Sequence, residues 1–190
     1  WPIPQNHFIF RENTILLEKD SSKENSCEQG TTDGFKLPSE KTIRKCLSLH
    51  AADDWFAEPE YNYSAMILES SSPTPGECKF IPLRDFFVSS DEKMIQLTSR
   101  AKAILSWRSS TRFCPKCATP LTDAPNLSAK FCSKCNSEIF PRIEPCIIVL
   151  VSDGDKYLLV RHAHRIQNIY ACISGFVEAG ETIEDRKSVV

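Results

Sequence analysis

No apolar run in this 190-residue chain approaches the ~20 residues that a membrane-spanning helix requires. The longest, Cys146 to Val151, has six residues, which suits a buried strand. No basic segment leads into an apolar stretch near the start, so no secretory signal is expected within these residues. The first residue is Trp1 rather than Met, so the N-terminus is expected to be incomplete and an earlier targeting segment stays open. Charge of one sign is also lacking. A formal net charge of −2 gives no general attraction to nucleic acid or to an anionic membrane. A disulfide framework is unsupported, because five of the nine cysteines (Cys27, Cys46, Cys78, Cys146 and Cys172) stand singly and leave an odd remainder. They read as reduced thiols that behave as small buried hydrophobes in an intracellular compartment, the cytoplasm first, with peroxisome and mitochondrion open. What remains, 41% apolar and 25% charged residues, is the balance of a globular, soluble protein.

Residues 1–108 read as a β-rich domain that ends in a helix. Short apolar-rich runs at His7 to Phe10, Thr14 to Leu17, Tyr63 to Leu68 and Lys79 to Leu83 have strand length. The polar stretch from Lys19 to Gly34 and the Ser/Pro/Gly stretch from Ser70 to Gly76 read as loops. Asp53-Asp54 and Glu58/Glu60 are carboxylate pairs in a polar setting and read as solvated surface. The uninterrupted run from Asp91 to Arg108 predicts a helix, with Ser89 and Glu92 as a capping box. Its stripe of Met94, Leu97, Ala101, Ile104 and Leu105 reads as core packing.

The strongest local signal lies in 109–141. Cys114-Pro115-Lys116-Cys117 and Cys132-Ser133-Lys134-Cys135 form two C-x2-C knuckles separated by fourteen residues. Two residues between cysteines let both thiolates of a knuckle face one ion, and two knuckles supply the four sulfurs of a closed tetrahedral Zn²⁺ site. A redox motif needs one pair; two pairs at this distance favour metal, with a structural and not a catalytic role. From Arg100 to Glu144 eight cations face three anions, a balance of +5, and four thiolates on one Zn²⁺ reduce it to +3. That suits a dinucleotide or an RNA end only mildly, and a solvated face is the simpler reading.

Beyond Pro141 the pattern changes again. Pro145 to Val151 reads as a buried strand, Ser152 to Asp155 as a turn carrying an Asp-Gly signal, and Lys156 to Arg161 as the return strand of a hairpin. His162, His164 and Arg165 fall in a polar loop, where the i, i+2 histidine spacing does not match a helical metal pair. Tyr170 to Phe176 reads as a third strand feeding a glycine loop. Thr182 is expected to cap a following helix, with Asp185 completing the capping box.

The order of helix, four-cysteine ribbon, Phe140-Pro141-Arg142, apolar strand and the run Ser174-Gly175-Phe176-Val177-Glu178-Ala179-Gly180-Glu181-Thr182 resembles the NADH pyrophosphatase branch of the Nudix hydrolases, some of which remove NAD caps from RNA. The resemblance covers roughly Ala101 to Asp185. It implies an α+β chain: a β-rich N-terminal domain (1–108), a zinc ribbon (109–141) and the first part of a Nudix α/β/α sandwich (142–190). It also implies hydrolysis of the pyrophosphate of NAD(H) to AMP and nicotinamide mononucleotide, with NAD-capped RNA as a further substrate. Structural Zn²⁺ would sit on Cys114, Cys117, Cys132 and Cys135, and catalytic Mg²⁺ or Mn²⁺ would serve the complete enzyme. By position, Gly175 would form the tight loop and the Ser174 carbonyl would reach a catalytic metal. Phe176 would stack the nicotinamide ring, or else be a strand-end core aromatic, and Glu181 would play a supporting role. A homodimer and no membrane association are further expectations. In box register Val189 and Val190 stand where Arg-Glu belongs, and the Glu-Glu pair is absent. The catalytic set is therefore incomplete and the chain as written is expected to be inactive. The alternative is a non-catalytic zinc-ribbon module that binds nucleotide or protein.

Overall fold

Alternation along two strands decides the architecture of the first unit, Trp1–Pro141. In β1 (Asn6–Arg11), Phe8 and Phe10 enter one apolar cluster while Ile9 enters another. In β2 (Thr14–Lys19), Ile15 and Leu17 join the first cluster and Leu16 the second. A strand with apolar residues on both faces must be covered on both sides. The computed structural model, which describes residues 4–21, 34–49, 55–124, 128–161 and 169–189, shows this cover. Helix α1 (Glu40–Leu49) contributes Ile43, Cys46 and Leu47 to the Ile9 face. Helices α2 (Leu83–Val88) and α3 (Glu92–Ser110) contribute Phe86, Ala101, Ile104 and Leu105 to the opposite face. Full burial of each large apolar side chain is worth about 1.5–3 kcal/mol, so the Phe8, Phe10, Ile15 and Leu17 face carries much of the unit's stability.

The sheet runs β3 (Phe35–Lys36), β2, β1, β5 (Tyr63–Ile67), β4 (Trp55–Glu58), and β6 (Cys78–Pro82) pairs with β2. Strands β1 and β5 are parallel, with His7 opposite Ser64; the other pairings are antiparallel. The four apolar runs read from sequence are thus strands, and the Met94–Leu105 stripe packs against the core. The molecule is mixed α+β and dominated by sheet.

Several expectations need correction. Asp91, not Ser89, caps α3: its side chain accepts the Met94 amide at 2.7 Å. Ser89 instead closes α2, its hydroxyl donating to the Phe86 carbonyl at 3.1 Å. Helix α1 was not expected; the Glu18 carboxylate on β2 accepts from the Ser39 amide at 2.7 Å and the Thr42 hydroxyl at 2.8 Å, holding the start of that helix. Glu58 is not solvated. Its side chain is 14% exposed, Arg100 donates to it twice at 2.8 Å, and the hydroxyls of Tyr63 and Ser128 also donate to it. The Lys19 to Gly34 loop lies largely outside the described residues, as do Asp53-Asp54 and Cys27. Of the other single cysteines, Cys46 is buried and burial pushes its thiol up, and Cys78 is pushed up to about 11, chiefly by burial. Cys146 is exposed and Cys172 half-buried, so neither is a core residue.

The described residues of the second unit, Arg142–Val190, hold three runs of strand, each broken once. They are β10 (Cys146–Val149) with β11 (Val151–Asp153), β12 (Lys156–Leu158) with β13 (Val160–Arg161), and β14 (Tyr170–Ala171) with β15 (Ile173–Phe176). Each run pairs with both of the others: β10 with β15, β11 with β12, β13 with β14, all antiparallel. The hairpin turn is Gly154-Asp155, between the paired Asp153 and Lys156, with Gly154 at φ 56°. The run 145–151 forms strand but is not buried: Ile148 is 72% exposed. Short two-stranded ladders offer no second layer to cover an apolar face. Helix α4 (Ile183–Val189) follows the glycine loop.

Because burial pushes the Glu58 carboxyl up while Arg100, Ser128 and Tyr63 hold it below its ordinary value of 4.5, its contribution is present above pH 4.5 and lost as pH falls through the lower folded value. Arg100→Met is expected to lower unfolding free energy by about 2 kcal/mol in urea titration, the low end for a broken charged pair because Arg100 is 37% exposed. Glu58→Gln should flatten the decline in stability below pH 4.5.

Candidate metal centre and glycine loop

The ribbon is built from β7 (Thr122–Asp123), β8 (Lys130–Cys132) and β9 (Ser137–Ile139), a three-stranded antiparallel sheet. Each knuckle ends in a left-handed residue directly after its second cysteine: Ala118 at φ 56° and Asn136 at φ 50°. That conformation turns the chain back so that both sulfurs of a knuckle face the same point, and the amides fall into place. The Cys135 amide donates to Cys132 Sγ at 3.4 Å, and the Ala118 amide to the Cys114 carbonyl at 2.9 Å. Asn tolerates this region readily; Ala does so at a cost.

All four sulfurs lie within 4.8 Å of one another. The Cys114–Cys135 separation is 3.9 Å and the Cys117–Cys132 separation 3.5 Å. A tetrahedron of sulfurs each about 2.3 Å from a central Zn²⁺ has edges of about 3.8 Å. The geometry therefore fits one tetrahedral ion. The electrostatics agree: hydrogen bonds from Thr119, 3.3 Å away, hold Cys117 down to about 6, while the surrounding thiols push Cys135 up to about 12. Four thiolates at these distances repel one another unless a cation sits among them. Thr119 is a site residue that sequence reasoning missed; its only signal is a hydroxyl two positions beyond a knuckle cysteine.

The glycine loop is built differently from expectation. Gly175 lies within β15 opposite Ile147, and the left-handed turn falls at Gly180, φ 83°. Ser174 pairs with Ile148 in the same ladder. Phe176 is 67% exposed. Glu181 braces the loop: its carboxylate accepts the Glu178 amide at 2.9 Å and Arg186 Nε at 2.8 Å. Arg186 also reaches Glu178 Oε1 at 2.8 Å, so one guanidinium holds both carboxylates. Arg186 was not singled out from sequence; it stands five residues after Glu181. The Thr182–Asp185 capping box is present, with the Asp185 amide donating to Thr182 Oγ1 at 3.0 Å and that hydroxyl donating to Asp185 Oδ2 at 2.7 Å. The loop containing His162, His164 and Arg165 lies outside the described residues.

Fold and cysteine cluster together define a mixed α+β protein with a four-thiolate set that could hold a metal ion. No protein-family model matches the chain. Curated relatives do. It is 34% identical to the NAD-capped RNA hydrolase NudC of Pseudomonas fluorescens (strain Pf0-1) over 156 residues, covering 80% of this chain and 55% of the relative. It is 33% identical to the protein of that name from Pseudomonas aeruginosa (strain LESB58) over 157 residues, 80% of this chain and 54% of the relative. The chain belongs to the family of these relatives, the NADH pyrophosphatase branch of the Nudix hydrolases. It spans about half the length of the curated relatives it matches.

Elemental analysis of protein purified with zinc present is expected to find one zinc per chain, and none in Cys132→Ala. Ala118→Gly should leave metal content unchanged and raise thermal stability by up to about 1 kcal/mol, because it relieves the left-handed alanine.

Proposed function

We propose that this chain carries the structural zinc ribbon and the glycine-loop part of a Nudix site acting on the pyrophosphate of NAD(H), yielding AMP and nicotinamide mononucleotide, with the NAD cap of RNA as an equivalent substrate. The observation that carries this reading is the order of features: a four-sulfur cluster of tetrahedral dimensions, then a strand, glycine loop and capped helix that bring Glu178 and Glu181 together. The printed name of the relatives, NAD-capped RNA hydrolase, supports the substrate class. The closed thiolate site folds the ribbon and leaves no position for substrate.

Mg²⁺ or Mn²⁺, when bound to such a site, neutralises diphosphate charge and activates the attacking water. The carboxylates present do not fit that role as arranged. Arg186 pairs with both Glu178 and Glu181, and Val189 and Val190 stand where the box places Arg-Glu. In this proposal the two glutamates and Arg186 shape the loop, Phe176 offers an exposed ring for the nicotinamide, and the Ser174 carbonyl faces the metal position of the complete enzyme. The loop thus positions substrate, and the metal-binding glutamates are not among these residues. The second reading, a non-catalytic module that binds nucleotide or protein, is favoured by the same engaged carboxylates. We further propose a homodimer, which size-exclusion chromatography with light scattering would show as twice the monomer mass.

Incubation with NADH and Mg²⁺ or Mn²⁺, followed by chromatography, separates the readings. The 190-residue polypeptide is expected to release no AMP, whereas a polypeptide whose helix carries Arg-Glu and then Glu-Glu is expected to hydrolyse NADH. Release of AMP by the 190 residues would sink the inactive reading; failure of the completed polypeptide would sink the enzymatic one.

A further inference from the structure

The first unit contains a pocket of about 500 Å³ that no part of the proposed reaction uses. A single lateral row of the sheet forms its floor: His7 of β1 lies opposite Ser64 of β5, which lies opposite Ala57 of β4. Serine and alanine are small, so this row leaves a hollow beside α1, whereas Met66, one alternate residue further along β5, is buried in the apolar cluster. Ile43 and Leu47 of α1 form one wall and Trp55, 36% exposed, another. The volume lies in the ordinary range for small-molecule sites, about 300–1,000 Å³.

His7 is the unusual member. It is 3% exposed, and its Nδ1 is 2.7 Å from Ser64 Oγ. With Nδ1 engaged by Ser64, Nε2 is the ring nitrogen left to an occupant. A ring nitrogen among the lining of an otherwise mainly apolar pocket is the kind of polar group that orients a bound small molecule. Burial lowers the pKa of His7, opposed in part by Glu40, which favours a neutral ring. Because the Ser64 hydroxyl can donate or accept, the neutral pair can present Nε2 as acceptor or donor. At the rim Arg44 and Glu40 pair with each other at 2.6 Å, so the entrance has no strong preference for charge.

We propose that this pocket binds an uncharged planar nitrogen heterocycle, its face against Trp55 and its ring edge hydrogen-bonded to His7. Apolar walls and an aromatic side chain favour a flat ring, the single polar contact at the floor fixes its orientation, and the neutral rim selects against a strongly charged ligand. This inference does not depend on the catalytic reading, since the pocket lies wholly within the first unit.

The test is a ¹H–¹⁵N titration of the full chain at pH 7.5 with benzimidazole, which has a hydrogen-bonding edge, and with naphthalene, which has none. Benzimidazole is expected to give saturable shifts confined to α1, β4 and the Ser64 region, and to bind at least fivefold more tightly than naphthalene, the factor for one net hydrogen bond. His7→Phe should remove that preference while naphthalene still binds. Ala57→Trp, on the half-exposed edge strand, should fill the hollow and abolish both. Absence of saturable shifts would overturn the proposal, as would equal affinity for the two probes or retained binding in folded Ala57→Trp. If His7→Phe fails to fold, the preference of the unaltered chain and the Ala57→Trp result still decide.

Discussion

The Glu58 carboxylate ties together parts of the first unit that are far apart in sequence. Each oxygen accepts two hydrogen bonds: Oε2 from Tyr63 and Arg100, Oε1 from Arg100 and Ser128. That fills the roughly four acceptor sites of a carboxylate. The donors come from β5, from α3 and from the ribbon, and Arg100 lies over the Tyr61 ring at 4.4 Å. An exposed ion pair is worth at most about 1 kcal/mol, but here the carboxylate is largely buried and saturated, so losing a donor leaves it under-satisfied. The ribbon is therefore joined to the sheet by the same group that anchors the long helix.

A second dependence follows from what the ribbon lacks. Its buried side chains among the described residues are Cys114, Ala124, Ala129 and Cys132, all small. Such a set buries too little apolar surface to offset the conformational entropy of its loops. A metal held by the four sulfurs would supply that folding energy, since a preformed four-sulfur site does not exist in the unfolded chain. Helix packing on the sheet and, in the proposed zinc-bound ribbon, thiolate ligation would be separate stabilising forces that meet at Glu58, Arg100 and Ser128.

Local pattern made part of this legible in sequence. The C-x2-C spacing by itself predicts a cluster, and four short apolar runs predict four strands, because both are properties of neighbouring residues. Long-range partners were invisible. Glu58 looks solvated beside Pro59, and its defining donors lie 42 and 70 residues away. Helix α1 escaped notice although Ile43, Cys46 and Leu47 have helical spacing, because the segment is short and its N-terminal partner, Glu18, sits on a strand 21 residues earlier. The run at 145–151 has the composition of a buried strand, but burial requires a covering layer, which periodicity cannot supply. Arg186 was unreadable for a similar reason: a cation in a helix reveals which carboxylates it holds only after the preceding loop has turned at Gly180.

The pairing among the three broken strands of the second unit has its own consequence. Each run shares one ladder with each of the other two, so their alignments form a closed set of three conditions. If one strand slid by a residue against a neighbour, the third could stay aligned with at most one of them. A slip would therefore cost two ladders instead of one. Individually weak pairings, some only two residues long, become mutually enforcing, and the strand that leads into the glycine loop is kept in step by both of the other runs.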